Sequence, residues 1–332
     1  MQDIARLAGV SVSTVSRALA GSHLVARGKR EEIVRLAAER GYVVNTTARN
    51  LRLKRSETLS VAIPLGQGTG QSLTDPFFVR MIGHVADEIT QRGYGMYLQK
   101  VLPPTESWLE RLIDAGRADG IIVIGQNIEH AALQEAAAYR PLVVWGGHEP
   151  GQRYCTVGSD NVAGATAAVE HLLATGRRAI VFLGDTRVPE IRLRYEGYRC
   201  ALESAPQGSA GARLLATPLA ADAGYEALRA LMREGAALDA VFGATDLVAI
   251  GALRALADAG RRVPGDVAVV GFDDIALAAH TTPPLTTVRQ DFARGARTLV
   301  DLLLRRIAGE DTPSAVLQAE LIVRDSSLVR GA

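Results

Sequence analysis

Residues 3–21, DIARLAGVSVSTVSRALAG, decide how the rest of the chain is read. Residues 2–8 put Ile4, Leu7 and Ala8 on one side of a helix, the three-to-four spacing of an amphipathic face. Gly9 breaks that period, and glycine is a natural helix stop. Ser11 stands where a side-chain oxygen can cap the next helix, residues 12–20, which turns Val15 and Leu19 inward. Two short helices joined by a brief turn containing glycine predict a helix-turn-helix. A third helix is expected over residues 30–40, with Ile33, Leu36 and Ala37 as its core face and Gly41 as its stop.

Charge sets this head apart. Residues 1–57 hold eleven Lys/Arg and five Asp/Glu, a net +6, which leaves −5 for the remainder of a chain that carries +1 overall. A small basic head on a mildly acidic body suits a polyanion-binding module joined to something else. A solvated basic helix surface accounts for the charge equally well.

The chain has 332 residues, enough for two or three domains. Apolar residues make up 48% and charged residues 22%, which excludes disorder and collagen-like repeats. No run of 18 apolar residues and no charged-then-apolar leader occurs, so no membrane span is expected and a reduced cytoplasmic setting is. Cys155 and Cys200 alone build neither a disulfide framework nor a four-ligand zinc site.

From Ser60 onward short β-branched runs alternate with helical stretches. Strands are expected at SVAIP (60–64), YLQKV (97–101), GIIVIG (120–125), PLVVW (141–145), AIVFLGD (179–185), LLATP (214–218), AVFGA (240–244) and VAVVGF (267–272). Helices are expected at 76–93, 105–116, 130–139, 161–175, 194–204, 222–235, 246–260 and 291–309, the last with Leu299, Leu302, Leu303 and Ile307 on its packing face. The alternation predicts an α/β fold of βαβ units with parallel sheets. The strand count exceeds one sheet of ordinary size, so two doubly wound subdomains are expected.

An α/β enzyme is the rival reading. GQGTG at 66–70 hints at a phosphate loop but lacks the G-x-G-x-x-G spacing, and no G-K-[S/T] follows. No G-x-S-x-G elbow and no metal-spaced histidines occur. No catalytic residue, metal or cofactor is therefore expected. A transport-type binding protein would need a leader and leaves the basic head unexplained.

The three head segments, residues 3–21, LVARGKREEIVRLAAERGY (24–42) and NTTARNLR (45–52), closely resemble the head of the lac/galactose repressor family. The resemblance runs on through DPFF (75–78), ADGIIVIG (118–125), VGSDNVAGATAAVEHLL (157–173), RYEGYRCAL (194–202), VPGDVAVVGFDD (263–274) and PPLTTVRQD (283–291), in order and across essentially the whole chain. It implies a sequence-specific DNA-binding transcriptional regulator. The fold implied is a helix-turn-helix head over 1–44, a hinge helix and linker over 45–58, and an effector-binding and dimerisation domain over 59–332. That domain would resemble periplasmic sugar-binding proteins. One subdomain would span about 60–157 and 289–317, the other about 158–286 and 320–329, the chain crossing between them three times.

The resemblance also implies roles. Val12, Ser13 and Arg17 occupy base-reading positions, and an arginine can donate two hydrogen bonds to a guanine edge. Thr14 and Ser16 take phosphate-contact positions, although capping or plain exposure explains them too. Asn45, Ala48, Arg49, Leu51 and Arg52 belong to the hinge helix, with Leu51 as the wedge that kinks the duplex. An isolated helix of that length is marginal in water, so it should form on DNA. In the body, Phe77, Phe78, Arg194, Tyr225, Thr245, Asp273 and Gln290 match effector positions at strand-to-helix junctions. A carboxylate, a guanidinium, an amide and an aromatic platform suit a mono- or disaccharide. A purine or other metabolite, as inducer or corepressor, is the alternative. Phe77 and Phe78 could instead be core, and Asp273–Asp274 a turn pair. Asp246 is expected to cap the helix after it.

Several positions depart from the family pattern. Ala26 stands where a serine caps the third helix, Ala20 where an asparagine stands, and Val44 where a proline stands. The first helix lacks its usual threonine cap. Gly146-Gly147 follows PLVVW where a polar residue is common, which suggests a roomier pocket with Trp145 as an aromatic wall, or as core. No heptad tail follows the last expected strand, LQAELIVRDS (317–326), so a homodimer reading a pseudo-palindromic operator is expected.

Overall fold

A computed structural model describes residues 1–19, 21–42, 56–65, 70–101, 108–126, 131–136, 139, 141–205 and 212–328, apart from the side chains of Asp114 and Ala131. The chain divides into two units, Met1–Ser56 and Glu57–Ala332.

The first unit holds α1 (Gln2–Ala8), α2 (Val12–Leu19) and α3 (Arg27–Glu39). Gly9 ends α1 in the left-handed conformation, φ 65°, which a side chain would strain. Ser11 caps α2: its Oγ accepts the Thr14 backbone N–H at 3.2 Å. Ile4, Ala5, Ala8, Val15, Ala18, Ile33 and Ala37 form a small core. Leu7 is not part of it. It is 46% exposed, and Ala5 takes the inward place, because α1 packs along the line of Ile4 and Ala8. Helix α3 starts three residues before its expected start, at Arg27. Ala26 is its N-cap and supplies no side-chain hydrogen bond.

The second unit carries two six-stranded sheets. The first contains β1 (Thr58–Pro64), β2 (Gly95–Val101), β3 (Gly120–Ile124), β4 (Leu142–Trp145), β5 (Cys155–Ser159) and β11 (Ala315–Leu317), in the order β11-β5-β4-β3-β1-β2. The second contains β6 (Ile180–Leu183), β7 (Arg213–Leu215), β8 (Ala240–Gly243), β9 (Ala268–Asp273), β10 (Thr286–Arg289) and β12 (Glu320–Ile322), in the order β12-β10-β9-β8-β6-β7. Among the described residues every strand pairing is parallel except β10 with β12, which is antiparallel. That exception follows from connectivity. The chain steps from β11 to β12 over two residues, too few for the crossover that a parallel return needs.

Helices flank the sheets: α4 (Pro76–Gln91), α5 (Trp108–Asp114) and α6 (Ala131–Glu135) in the first half, and α7 (Asn161–Ala174), α8 (Pro189–Glu203), α9 (Ala221–Arg233) and α10 (Asp246–Asp258) in the second. Helix α11 (Phe292–Ile307) leaves β10 and packs back on the first sheet, burying Leu299 and Leu303 beside α4 and β3. The chain therefore passes between sheets after β5, after β10 and after β11. The strands read as continuous apolar runs because both faces are covered. Residues 59–64 and all of β3, β4 and β9 are buried.

Three short strands lie outside the expected runs: β5 and β10, which carry threonine, serine or arginine, and β11, of which only Leu317 falls in an expected strand. Helix α8 begins five residues before its expected start. Pro189 sits at the first helical position, where its fixed φ and missing N–H are tolerated, and Val188 precedes it in extended conformation. Among the described residues no helix is long and apolar enough to cross a membrane, and no group of metal-ligating side chains gathers.

Candidate functional site

In the head, α2 separates two faces. Val15 and Ala18 point into the core, while Val12, Ser13 and Arg17 are exposed and Thr14 and Ser16 are half-buried. Val12, a β-branched apolar residue, is 42% exposed. Ser13 and Thr14 join their hydroxyls to Ser11 Oγ, each at 2.8 Å, so they belong to the capping cluster as well as to the outer face. Asn45, Ala48, Arg49, Leu51 and Arg52 lie outside the described residues.

In the body, the carboxyl ends of β1, β3, β4, β5 and β9 open into a cleft between the two halves. It encloses about 860 Å³ free of protein atoms, part of it open to solvent. Phe77, Phe78, Ile124, Trp145 and Gly146 line it from the first half, and Val188, Ile191, Leu219, Leu247 and Ile275 from the second. Phe77, Phe78, Arg194, Thr245, Asp273 and Gln290 meet there.

A chain of hydrogen bonds runs along the floor. Ser159 Oγ donates to Gln290 Oε1 at 2.8 Å, and Gln290 Nε2 donates to Asp273 Oδ1 at 2.7 Å. Arg194 Nη1 reaches Asp273 Oδ1 at 3.5 Å and donates to the Ala244 carbonyl at 2.6 Å, while its Nε donates to Asn161 Oδ1 at 2.9 Å. Asn161 in turn donates to the Ser159 carbonyl at 3.0 Å. Ser159 and Gln290 stand at the crossing points between sheets, so the network joins both halves. Burial lowers the Arg194 pKa while Asp273 and Glu190 pull it back up, and a guanidinium stays charged throughout. Burial pushes Asp273 up to about 6 against the opposing pull of Arg194.

Asp273 and Asp274 have φ of 120° and 51°, so they do form a tight turn at the end of β9. They part in role. Asp273 faces the cleft, whereas Asp274 accepts Arg324 at 2.6 Å and Arg289 at 2.7 Å. Burial alone would raise the Asp274 pKa, but those two guanidiniums hold it below the ordinary value. Arg80 of α4 donates to the Asp274 carbonyl at 2.8 Å, a direct tie between halves.

Other assignments change. Tyr225 does not line the cleft. Its α9 face packs toward α10, where the hydroxyl donates to Asp258 at 2.9 Å and the ring lies near Arg229 and Arg254. Leu219, just before α9, lines the cleft instead. Thr245, not Asp246, caps α10, accepting the Val248 N–H at 3.3 Å. Asp246 is wholly buried and accepts the Ile275 N–H and the Thr287 hydroxyl. Burial and neighbouring Asp273 raise its pKa well above the carboxylate range. Phe78 and Trp145 are both core and wall: each is buried in the first half's core and borders the cleft. The space over Gly146 is not roomy, because Gln126 fills it; a Cβ there would stand 2.5 Å from Gln126 Cγ.

Gln126, Ser159, Asn161 and Glu190 line the cleft in addition to the residues expected from the sequence. Gln126 and Ser159 were findable, since each stands at the carboxyl end of a strand. Val188-Pro189 was the helix-start signal that places Glu190 in a first turn facing the cleft.

The described geometry matches known proteins along its whole length. Residues 1–45 match the model of bacterial regulatory proteins of the lacI family, and residues 169–327 that of the periplasmic binding protein-like domain. The HTH-type transcriptional regulator CelR of Thermobifida fusca is 33% identical, over 98% of this chain and 97% of the relative. A solved complex of a transcriptional regulator CelR with cellobiose is 32% identical with a TM-score of 0.72, covering 97% of this chain and 98% of that one. The lac repressor dimer bound to operator and the anti-inducer ONPF is 27% identical with a TM-score of 0.83, covering 98% of both. With a helix-turn-helix head and a two-sheet periplasmic-binding-type body, the chain belongs to the lacI family of bacterial regulatory proteins, and it is a DNA-binding transcriptional regulator.

Proposed function

We propose that this regulator is a repressor of carbohydrate-utilisation genes and that a neutral mono- or disaccharide in the cleft releases it from its operator. The observation that carries the effector reading is the buried Arg194–Asp273–Gln290 cluster facing Phe77 across the cleft. It offers charged and amide hydrogen-bonding groups beside an aromatic face, the set that vicinal hydroxyls and a sugar ring need. The complex of CelR with cellobiose supports the same class of ligand. The chain is read as a sensor rather than an enzyme, because these groups are bound to one another in a binding network with no nucleophile–base pair assigned.

Val12, Ser13 and Arg17 read base edges on this proposal, and Thr14 and Ser16 contact phosphates. Residues 45–58 are the hinge and linker, with Leu51 as the minor-groove wedge beside Asn45, Ala48, Arg49 and Arg52. Two copies of the chain clamp a pseudo-palindrome. Ligand closing the cleft shifts the first halves of the two bodies against each other and loosens the hinges. Coupling of about 1–3 kcal/mol would change DNA affinity about 5–150-fold.

The test has two steps. Duplexes selected from a random pool by the purified protein supply the operator. Cellobiose, glucose, ribose, glucose 6-phosphate, hypoxanthine and inosine are then titrated against the complex and against thermal unfolding. A ligand at 100 times its Kd stabilises by about 2.7 kcal/mol. Release by a neutral sugar is expected. Release by hypoxanthine or inosine with no response to any sugar would move the effector to the purines.

A further inference from the structure

One corner of the cleft holds acceptors that no donor among the described residues satisfies. Gln126 is 1% exposed, and its amide nitrogen reaches the Gly147 carbonyl at 2.9 Å and the Tyr154 hydroxyl at 2.8 Å. Its Oε1 has no hydrogen-bond partner among the described residues. Glu190 stands beside it across the divide between halves, its Oε1 accepting the Gln126 backbone N–H at 3.3 Å. Glu190 Oε2 is buried and likewise has no partner among the described residues. Both residues line the cleft. Unpaired buried acceptors are destabilising, so two in one corner gain from a ligand that brings donors.

Carboxyl groups outnumber cations around them. Asp75, Glu190 and Asp273 are the acidic residues lining the cleft, and Arg194 is its basic one among the described residues. Arg194 already serves Asp273, Asn161 and the Ala244 carbonyl. Glu190 lies one helical turn before it in α8 without a bond to it; burial raises the Glu190 pKa, while the backbone N–H groups of Glu190 and Gln126 and the charge of Arg194 oppose that rise and favour the carboxylate. A phosphate or carboxylate entering this corner would face acceptors and carboxyl groups, with no unengaged cation lining the cleft among the described residues.

We propose that Glu190 and Gln126 form an anion-excluding, donor-seeking corner of the effector site, so that the effector is a neutral polyhydroxyl compound whose hydroxyls donate to Glu190 Oε2 and Gln126 Oε1. Glu190 then sets specificity: it admits the neutral sugar and refuses its phosphorylated or carboxylated counterpart. This rests on the cleft taking a saccharide, and it narrows which saccharides qualify.

The experiment is binding calorimetry on the full chain with matched neutral and anionic probes: glucose with glucose 6-phosphate and glucuronate, ribose with ribose 5-phosphate, cellobiose with cellobionate, and inosine with inosine 5′-monophosphate. The neutral member of the binding pair is expected to be at least tenfold tighter. Glu190→Gln keeps size and an acceptor but removes the charge. It should narrow that ratio to under threefold, by weakening binding of the neutral ligand that donates to Glu190 and by admitting the anion. An anionic member that binds as tightly as its neutral counterpart overturns the proposal in the unsubstituted protein, whether or not the variant folds. An unchanged ratio in Glu190→Gln overturns the role of Glu190. If inosine binds and no sugar does, the saccharide reading fails on its own, and the inosine pair still decides whether the corner excludes anions.

Discussion

The guanidinium of Arg194 lies over the ring of Phe272, its Cζ 3.7 Å from the centroid. Phe272 directly precedes Asp273 in β9, so one strand supplies both the platform for the cation and its counter-charge. The stacking, the Asn161 bond and the Ala244 carbonyl fix the guanidinium plane before any ligand arrives. A side chain already held in place loses little freedom on binding, which favours affinity.

Removing that cation should cost both stability and response. Arg194→Ala leaves the buried Asp273 without its counter-charge and the Ala244 carbonyl without its donor. Breaking a buried pair typically costs about 3–5 kcal/mol. The melting temperature should fall, and effector should no longer release DNA, while the isolated head's sequence preference on DNA is unaffected. Arg194→Lys should recover part of the stability but not the response, because an ammonium cannot stack or fork. Normal effector release in either variant would remove Arg194 from the site.

Asp273 gives the site a pH dependence of defined sign. Burial raises its pKa from 3.8 to about 6 in the folded protein. Its favourable contribution to stability is therefore full below about 3.8 and lost as pH rises through about 6. Effector binding runs the other way. The ionised carboxylate is the form that accepts hydroxyls, with Arg194, Gln290 and Asp246 as the groups facing it. Sugar affinity should be about tenfold weaker at pH 5 than at pH 7, one unit below that pKa. Calorimetry across pH 5–7.5 reads this directly. Asp273→Asn should bind more weakly and lose the slope; a slope that survives the substitution belongs to another group.

Much of this architecture was legible because local and tertiary signals agree. Apolar runs such as GIIVIG and VAVVGF become strands buried on both faces, and the motif residues Arg194, Asp273 and Gln290 do meet in the cleft. Failures fall where a decision is made by a partner distant in sequence. Leu7 fits the helical period, yet the small head core has room only for Ala5 and Ala8 beside Ile4. Tyr225 matches an effector position of the family by resemblance, but α10 turns its hydroxyl to Asp258. Gly146 looks like empty space until Gln126, twenty residues earlier, is seen to occupy it. Asp246 reads as a cap, but residues near 275 and 287 claim its carboxylate, and Thr245 caps instead.

Thr245 now has two assignments that one substitution separates. As the α10 cap it should contribute about 1 kcal/mol, and Thr245→Ala should lose that stability. Effector affinity should fall less than threefold, because the hydroxyl is already engaged with the Val248 N–H. Thr245→Ser should keep both properties. A tenfold loss of affinity at unchanged stability would instead assign the hydroxyl to the ligand.

Arg17 tests the outward face of α2. It is exposed, with Val12 and Ser13 beside it, on the side opposite the buried Val15 and Ala18. If it reads a base edge, Arg17→Ala weakens the selected operator by about 1–3 kcal/mol and relaxes preference at one position per half-site. Binding to random duplex should change much less. A uniform loss across all sequences, with a shallower salt dependence, would make Arg17 a phosphate contact.

The head also admits a gain of stability. Ala26 sits at the N-cap of α3 with φ −52° and ψ 139°, an extended backbone that a capping residue adopts, and its side chain makes no cap bond. Serine there has an oxygen within reach of the N–H groups of Gly28 or Lys29, donors with no earlier helical carbonyl to serve them. Ala26→Ser should stabilise α3 by about 1 kcal/mol, which slows opening-limited amide exchange in the helix about fivefold. Exchange in the two sheets of the body should not change. Because α3 buries Ile33 and Ala37 against the other two helices, the same gain should appear in α1 and α2 if the head opens as one unit. Protection confined to α3 would show that its end frays independently of the head core.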